Sequence, residues 1–229
     1  MTIDTAIQEV KHNIKAAQSR SPFAAKDVLL LAVTKTVEPE RIQEAIEAGV
    51  CDLGENKVQE ILAKYDALPT AKWHLIGHLQ TNKVKYILDK VVMVHSLDRI
   101  ELAKEINKRA LALNIIMPVL VQVNIAEEDS KFGLKEGEVK DFLTAMADYK
   151  GLQVEGLMTI GPFLPDKEDL RPVFRSLRLL SQRMDSLNMP HISMKHLSMG
   201  MSNDYEVAVE EGATIIRVGS NIFGHRIYK

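Results

Sequence analysis

Cysteine is almost missing from this sequence: Cys51 stands alone among 229 residues. A lone thiol forms no intrachain disulfide, which fits a reducing compartment and leaves the fold to its core. Aromatic residues are scarce, at 5%, and that argues against base-stacking surfaces. There is no long basic stripe, and the formal net charge is only -2, so nucleic acid is not an expected partner. No apolar run approaches the roughly 18 residues of a membrane span. The opening stretch, MTIDTAIQEVKHNIKAAQSR, lacks the uninterrupted apolar core of a signal peptide. No His, Cys and Asp spacing resembles a metal site, and no GxGxxG follows the first apolar strand. The expectation is a cytoplasmic protein with no membrane partner.

What is present is hydrophobic residue, 46% of the chain, distributed as a rhythm of short strands and amphipathic helices. Ile3, Ile7, Val10 and Ile14 recur at helical spacing and predict a helix at the N-terminus. Strands are then expected near 28–34, 50–53, 73–76, 91–95, 117–123, 153–158, 193–197 and 213–218. Helices are expected near 38–48, 56–66, 80–89, 98–113, 135–148, 168–187 and 202–211. Met117-Pro-Val-Leu-Val-Gln-Val123 is a continuous apolar run rather than an alternating one, the mark of a parallel strand covered on both faces. Pro39 suits a first helical turn, and Ser96 or Asp98 is placed to cap the fourth crossover helix. About eight βα units in a chain of this length predict one α/β domain over 1–229, a closed (β/α)8 TIM-type barrel with an extra N-terminal helix. An open doubly wound sheet is the alternative.

Barrel active sites lie at the C-terminal ends of the strands. The first strand ends on Lys35, in Leu29-Leu-Leu-Ala-Val-Thr-Lys35-Thr. A lysine at the mouth of a buried strand either rests its stem on the rim with its amine in water or serves as a nucleophile toward an aldehyde. The later strands place Gly54-Glu55-Asn56, His74 to His78, His95, Asn124, Met158-Thr159, Ser198-Met-Gly200-Met-Ser202 and Arg217-Val-Gly219-Ser220 at the same end. Barrels often bind phosphate with the loops after strands seven and eight, and small residues there allow close backbone approach. The plain alternative for those Gly and Ser residues is turn chemistry. In a closed barrel strand eight lies beside strand one, so Lys35 neighbours this candidate phosphate cup. An amine beside a phosphate cup, with Arg217 on the same wall, suits pyridoxal 5′-phosphate. Arg217 has a second reading, as the partner of a barrel carboxylate such as Glu55. His74 reads as a hydrogen-bonded barrel residue and Cys51 as an inert strand residue. The acidic run Glu127, Glu128 and Asp129 reads as solvated, as do Lys83, Lys85 and Lys90. Met158, Met199 and Met201 are placed near the rim, where they can touch a flat ring.

Ala32-Val-Thr-Lys35-Thr, Gly54-Glu-Asn56-Lys-Val-Gln59, Trp73-His-Leu-Ile-Gly77-His-Leu-Gln80, Lys131-Phe-Gly133, Gly156-Leu-Met158-Thr-Ile, Leu197-Ser-Met-Gly-Met-Ser-Asn-Asp204 and Arg217-Val-Gly219 occur in order from about residue 28 to the C-terminus. Together they resemble the pyridoxal phosphate homeostasis protein family. Thr34 stands where many members carry serine, a conservative hydroxyl exchange. The resemblance implies the fold of the alanine racemase N-terminal domain, with pyridoxal phosphate carried as a Schiff base on Lys35. It implies that Arg217 meets the pyridine nitrogen, that Asn56 lies near the ring oxygen, and that Ser198, Ser202, Gly219 and Ser220 hold the phosphate. His78 and Met158 complete the expected cofactor set.

The reading is a non-catalytic carrier of the cofactor in vitamin B6 homeostasis, with apo enzymes as expected recipients; a monomer is expected because the sequence shows no obvious large apolar patch. A fold-type III amino-acid racemase is the rival. Racemisation needs an acid or base on each face of the α-carbon; Lys35 serves one face, and the sequence ends at Lys229 without the second domain that supplies the other in racemases. A third reading, a sugar-phosphate enzyme with Lys35 as an aldolase-type lysine, fits the motifs less well.

Overall fold

In a computed structural model, which describes residues 1–128 and 131–224, the eight strands close into a parallel barrel in chain order. Helix α1 (Ile3–Arg20) precedes it. The units that follow are β1 (Leu29–Val33), α2 (Pro39–Glu47), β2 (Asp52–Glu55), α3 (Val58–Lys64), β3 (Lys72–Leu75), β4 (Val91–Leu97) and α4 (Ile100–Ala112). The second half holds β5 (Met117–Gln122), α5 (Val139–Met146), β6 (Leu152–Met158), α6 (Arg171–Asp185), β7 (Ile192–Met201), α7 (Tyr205–Glu210), β8 (Ile215–Val218) and the short α8 (Ser220–Phe223). Strand β8 pairs with β1, with Leu31 beside Arg217 and Ala32 beside Val218. That seam closes the barrel.

Parity along each strand divides the core. Leu30, Ala32 and Ile216 face the helices within the large outer core. Leu31, Val33, Ile76, Met93, Leu120, Met158 and Ile215 form a smaller cluster inside the barrel, the layered interior such barrels require. Helix α1 is capped by Thr2, whose hydroxyl accepts from the Thr5 amide, and it buries Ile3, Ala6, Ile7, Val10, Ile14 and Ala17. Asn13 donates to the Tyr205 hydroxyl at 3.1 Å, which ties α1 to α7.

Several expected boundaries shift. The predicted helix at 80–89 is a 3₁₀ segment, Thr81–Tyr86. A 3₁₀ turn rises about 2.0 Å per residue against 1.5 Å for an α-helix, so this crossover regains the start of β4 with few residues. The segments at 135–148 and 168–187 open as 3₁₀ turns at Glu136–Glu138 and Lys167–Leu170 before becoming α-helical. Neither Ser96 nor Asp98 caps α4. Its N-cap is Arg99, with no side-chain bond to the helix. Strand β4 runs on to Leu97, so Ser96 lies inside a strand and donates to the Gly77 carbonyl instead. Asp98 pairs with Arg99 at 2.7 Å. Pro39 does occupy the first turn of α2. Asp129 of the acidic run lies outside the described residues.

Candidate functional site

A cavity of about 1190 Å³ opens at the C-terminal ends of the strands. Its wall brings together Lys35, Asn56, His78, Ser202, Arg217, Gly219 and Ser220. Met158 and Ser198 do not line it. Both are fully buried one layer deeper, Met158 in the barrel-interior cluster and Ser198 in hydrogen bonds to its neighbours. Met199 is likewise buried, while Met201 does reach the cavity.

Lys35 leaves β1 on a turn whose next residue, Thr36, has φ 61. That positive φ is costly for a β-branched residue, and a polar cluster holds it. The Thr36 amide donates to Glu60 Oε2 at 2.8 Å. Lys64 Nζ bridges Glu60, Glu55 and the Thr34 carbonyl at 3.2, 2.7 and 2.9 Å. Thr34 Oγ1 donates to Glu55 Oε1 at 2.7 Å. Burial pushes the Glu55 carboxyl up, against the pull of Lys64 and Thr34, and its second oxygen is buried with no partner among the described residues. Glu60 is partly buried, yet the Thr36 amide and Lys64 hold it below the usual carboxylate range. Glu55 is thus the partner of Lys64 and not of Arg217.

The adjoining wall is built by the end of β7 and the loops after β7 and β8. Gly200 has φ 90, and a Cβ there would meet Ala208 Cβ at 2.5 Å. Only glycine lets this segment settle onto α7. Ser202 Oγ accepts from the Gly219 amide at 3.2 Å, and Asn221 Nδ2 donates to the Ser202 carbonyl at 3.0 Å. These two bonds tie the loops to each other. The rim between β2 and β3 is equally close: a Cβ on Gly77 would lie 2.2 Å from the Asn56 carbonyl oxygen. His78 stacks on Phe132 with ring centroids 3.9 Å apart, and its Nδ1 lies 3.7 Å from Asp98 Oδ2.

Arg217 is the most unusual group of the cavity. Its Nη1 donates to Ser198 Oγ at 2.7 Å and its Nη2 to the Thr159 carbonyl at 2.8 Å. Burial lowers its pKa to about 10, opposed by Asp204 at a distance. A guanidinium carries five N–H donors, so donors remain for an acceptor in the cavity. An amine, a donor-rich rim of Ser202, Gly219 and Ser220, and a buried cation with unspent donors fit a small molecule bearing an aldehyde, a phosphate and a ring acceptor. Among the described residues no group of three or more His, Cys, Asp or Glu side chains is arranged to hold a metal, and no helix is long and apolar enough to cross a membrane.

Sequence reasoning missed Gln122, Phe132 and the loop Gly161–Lys167 as parts of this wall. Phe163, 89% exposed, carried no signal beyond its place in an irregular segment after β6.

The family model described as alanine racemase, N-terminal domain, matches residues 6–227. The pyridoxal phosphate homeostasis protein of Aquifex aeolicus is 46% identical over 97% of each chain. The structure of PipY from Synechococcus elongatus with PLP bound superposes with a TM-score of 0.84 at 30% identity, covering 97% of this chain and all of that one. An alanine racemase of Clostridium difficile shares the fold alone, with a TM-score of 0.72 at 16% identity, and this chain covers 59% of it. With a near-full-length match to one group and a barrel-only match to the other, the chain belongs to the pyridoxal phosphate homeostasis proteins, within the alanine racemase N-terminal domain family.

Proposed function

We propose that this protein holds pyridoxal 5′-phosphate in the upper cavity and takes part in vitamin B6 homeostasis as a carrier without robust catalysis. One observation carries the reading: Lys35 and the donors Ser202, Arg217, Gly219 and Ser220 line a single cavity across the β1–β8 seam. Names of close relatives and the PLP-bound PipY structure support the choice of cofactor. When bound, the group would supply an aldehyde, and Lys35 is the amine that would hold it as a Schiff base, with loss of water. Ser202, Gly219 and Ser220 would hold the phosphate, aided by the first amides of α8, which a helix start leaves without intrahelical acceptors. Arg217 would meet the ring nitrogen, where a fixed positive charge opposes protonation and weakens the ring as an electron sink. Asn56 and His78 line the same cavity as Lys35. We place the carrier in the cytoplasm as a monomer that hands its cargo to apo enzymes.

The test is an absorbance scan of protein mixed with pyridoxal phosphate, followed by borohydride reduction and peptide mapping. A band near roughly 420 nm that vanishes on reduction, with the adduct on Lys35, is the expected result. An adduct elsewhere, or no band, overturns it. Turnover assays with amino acids then separate carrier from racemase.

A further inference from the structure

A line of polar side chains crosses the barrel interior beneath Arg217. Ser198 Oγ, which accepts from Arg217, lies 3.1 Å from His95 Nδ1. His95 Nε2 lies 3.0 Å from His74 Nδ1, and His74 Nε2 lies 3.1 Å from Asp52 Oδ1. Ser198 and His95 are fully buried, and His74 nearly so. Asp52 faces a second cavity, of about 950 Å³, among residues that begin β1, β2 and β8. The line therefore joins the two ends of the barrel.

Its proton positions follow from its two termini. A guanidinium only donates, so Ser198 accepts from Arg217. Among the described residues the serine's own proton then has one acceptor in reach, His95 Nδ1. His95 consequently carries its proton on Nε2 and donates to His74 Nδ1, and His74 donates from Nε2 to the Asp52 carboxylate. Every bond points from the cation toward the carboxylate. The reverse order would make Ser198 accept twice, leaving its buried proton unpaired, and would turn a bare His74 nitrogen toward a carboxylate; an unpaired buried polar group is costly. Burial, with His74, Arg217 and His196 nearby, holds His95 well below the ordinary imidazole range, in keeping with a neutral ring.

We propose that Ser198, His95, His74 and Asp52 are positioning residues for Arg217: a one-way hydrogen-bond relay that orients the guanidinium in the upper site and ends, at the opposite mouth, on a carboxylate additional to the more direct charge of Asp204. A carboxylate placed directly on Arg217 would consume its donors and cancel its charge. The relay compensates the cation through aligned dipoles and leaves the remaining N–H groups for a ligand. For the effect on bound cofactor, this rests on the proposed function. The charged and titratable groups around the two rings are Asp52 on β2, Arg217 on β8, and His196 on β7, itself beside Glu155 and Lys195.

Two measurements test it. Nitrogen-15 NMR of histidine-labelled protein without cofactor, assigned with His74→Gln and His95→Gln, is expected to show a bare Nδ1 and a protonated Nε2 on both rings. A charged ring, or the opposite tautomer at either, overturns the relay. In protein loaded with pyridoxal phosphate, Ser198→Ala and Asp52→Ala are expected to shift the pH midpoint of the cofactor absorbance by about one unit, a tenfold change in proton affinity, while Ser198→Thr keeps the wild-type midpoint. Unshifted midpoints in both alanine variants overturn the positioning role. If the wild-type protein takes up no cofactor, the proposed function fails, and the NMR result still decides the relay.

Discussion

Lys64 and Arg217 are both more than nine-tenths buried, at 8% and 4% exposure, yet their partners differ in kind. Lys64 sits on two carboxylates and a carbonyl. Arg217 sits on a hydroxyl and a carbonyl, and among the described residues it has no ion pair. A buried charge is expensive unless paired. Where the fold pairs it locally, the charge serves the scaffold, here by pinning the turn that presents Lys35. Where pairing is withheld next to a cavity, the unspent interaction is available to whatever enters. Two cations within one barrel thus separate structural from ligand-directed use of charge.

The largest effect is expected from breaking the paired cation. Lys64→Met leaves the Glu55 carboxylate buried with only Thr34, and should cost about 3–5 kcal/mol in urea unfolding. The double variant Lys64→Met with Glu55→Leu should recover most of that, because no charge is stranded; a double variant no more stable than the single would dissolve the contrast. Arg217→Met is expected to leave stability within about 1 kcal/mol while weakening pyridoxal phosphate binding roughly 10- to 100-fold, as loss of a charge-assisted hydrogen bond implies. A fall in stability like that of Lys64→Met would make Arg217 a scaffold residue after all.

A smaller effect concerns pH. Burial keeps His95 neutral in the folded state, whereas the unfolded chain gains that proton below about pH 6.5. The unfolded state then binds more protons, so stability falls as pH drops through that window. Thermal unfolding from pH 7 to 5 should show a slope that flattens in His95→Gln. The smallest effect is expected at the surface, where Arg20 meets Glu206 and Glu210 at 3.0 and 2.6 Å. With Arg20 nearly half exposed, Arg20→Gln should cost less than about 1 kcal/mol, and less still in high salt. The Lys64 effect should be nearly salt-independent.

Much of this was legible in the residues. The run at 117–123 marked β5 to within one residue, and strand order alone gathered Lys35, Asn56, Ser202, Arg217 and Ser220 at one mouth. The 3₁₀ segment at Thr81–Tyr86 was not legible as such, because Val84, Ile87 and Leu88 keep apolar spacing that also suits an α-helix. Depth was the other limit. Met158 ends β6, whereas β7 runs three residues past Ser198 to Met201, and neither that extension nor the irregular β7–β8 register can be read from residue types. The relay had a faint signal: His74 precedes the inward Ile76 by two residues, and His95 follows the inward Met93 by two. Parity says that both rings point inward. It does not say that they touch.

The seam between β1 and β8 has a consequence in time. Its two strands lie nearly a whole chain apart in sequence, and loop closure over such a span is slow to reward. Lys35 leaves one side of that seam, and Gly219 and Ser220 leave the other. The cavity is therefore complete only when that seam is closed. Any molecule that bridges the two sides binds the closed ring and not its open precursor, so it acts as a clasp on the finished circle. Refolding kinetics followed through such a molecule would report ring closure itself, because both ends of the chain must be in place before it can bind.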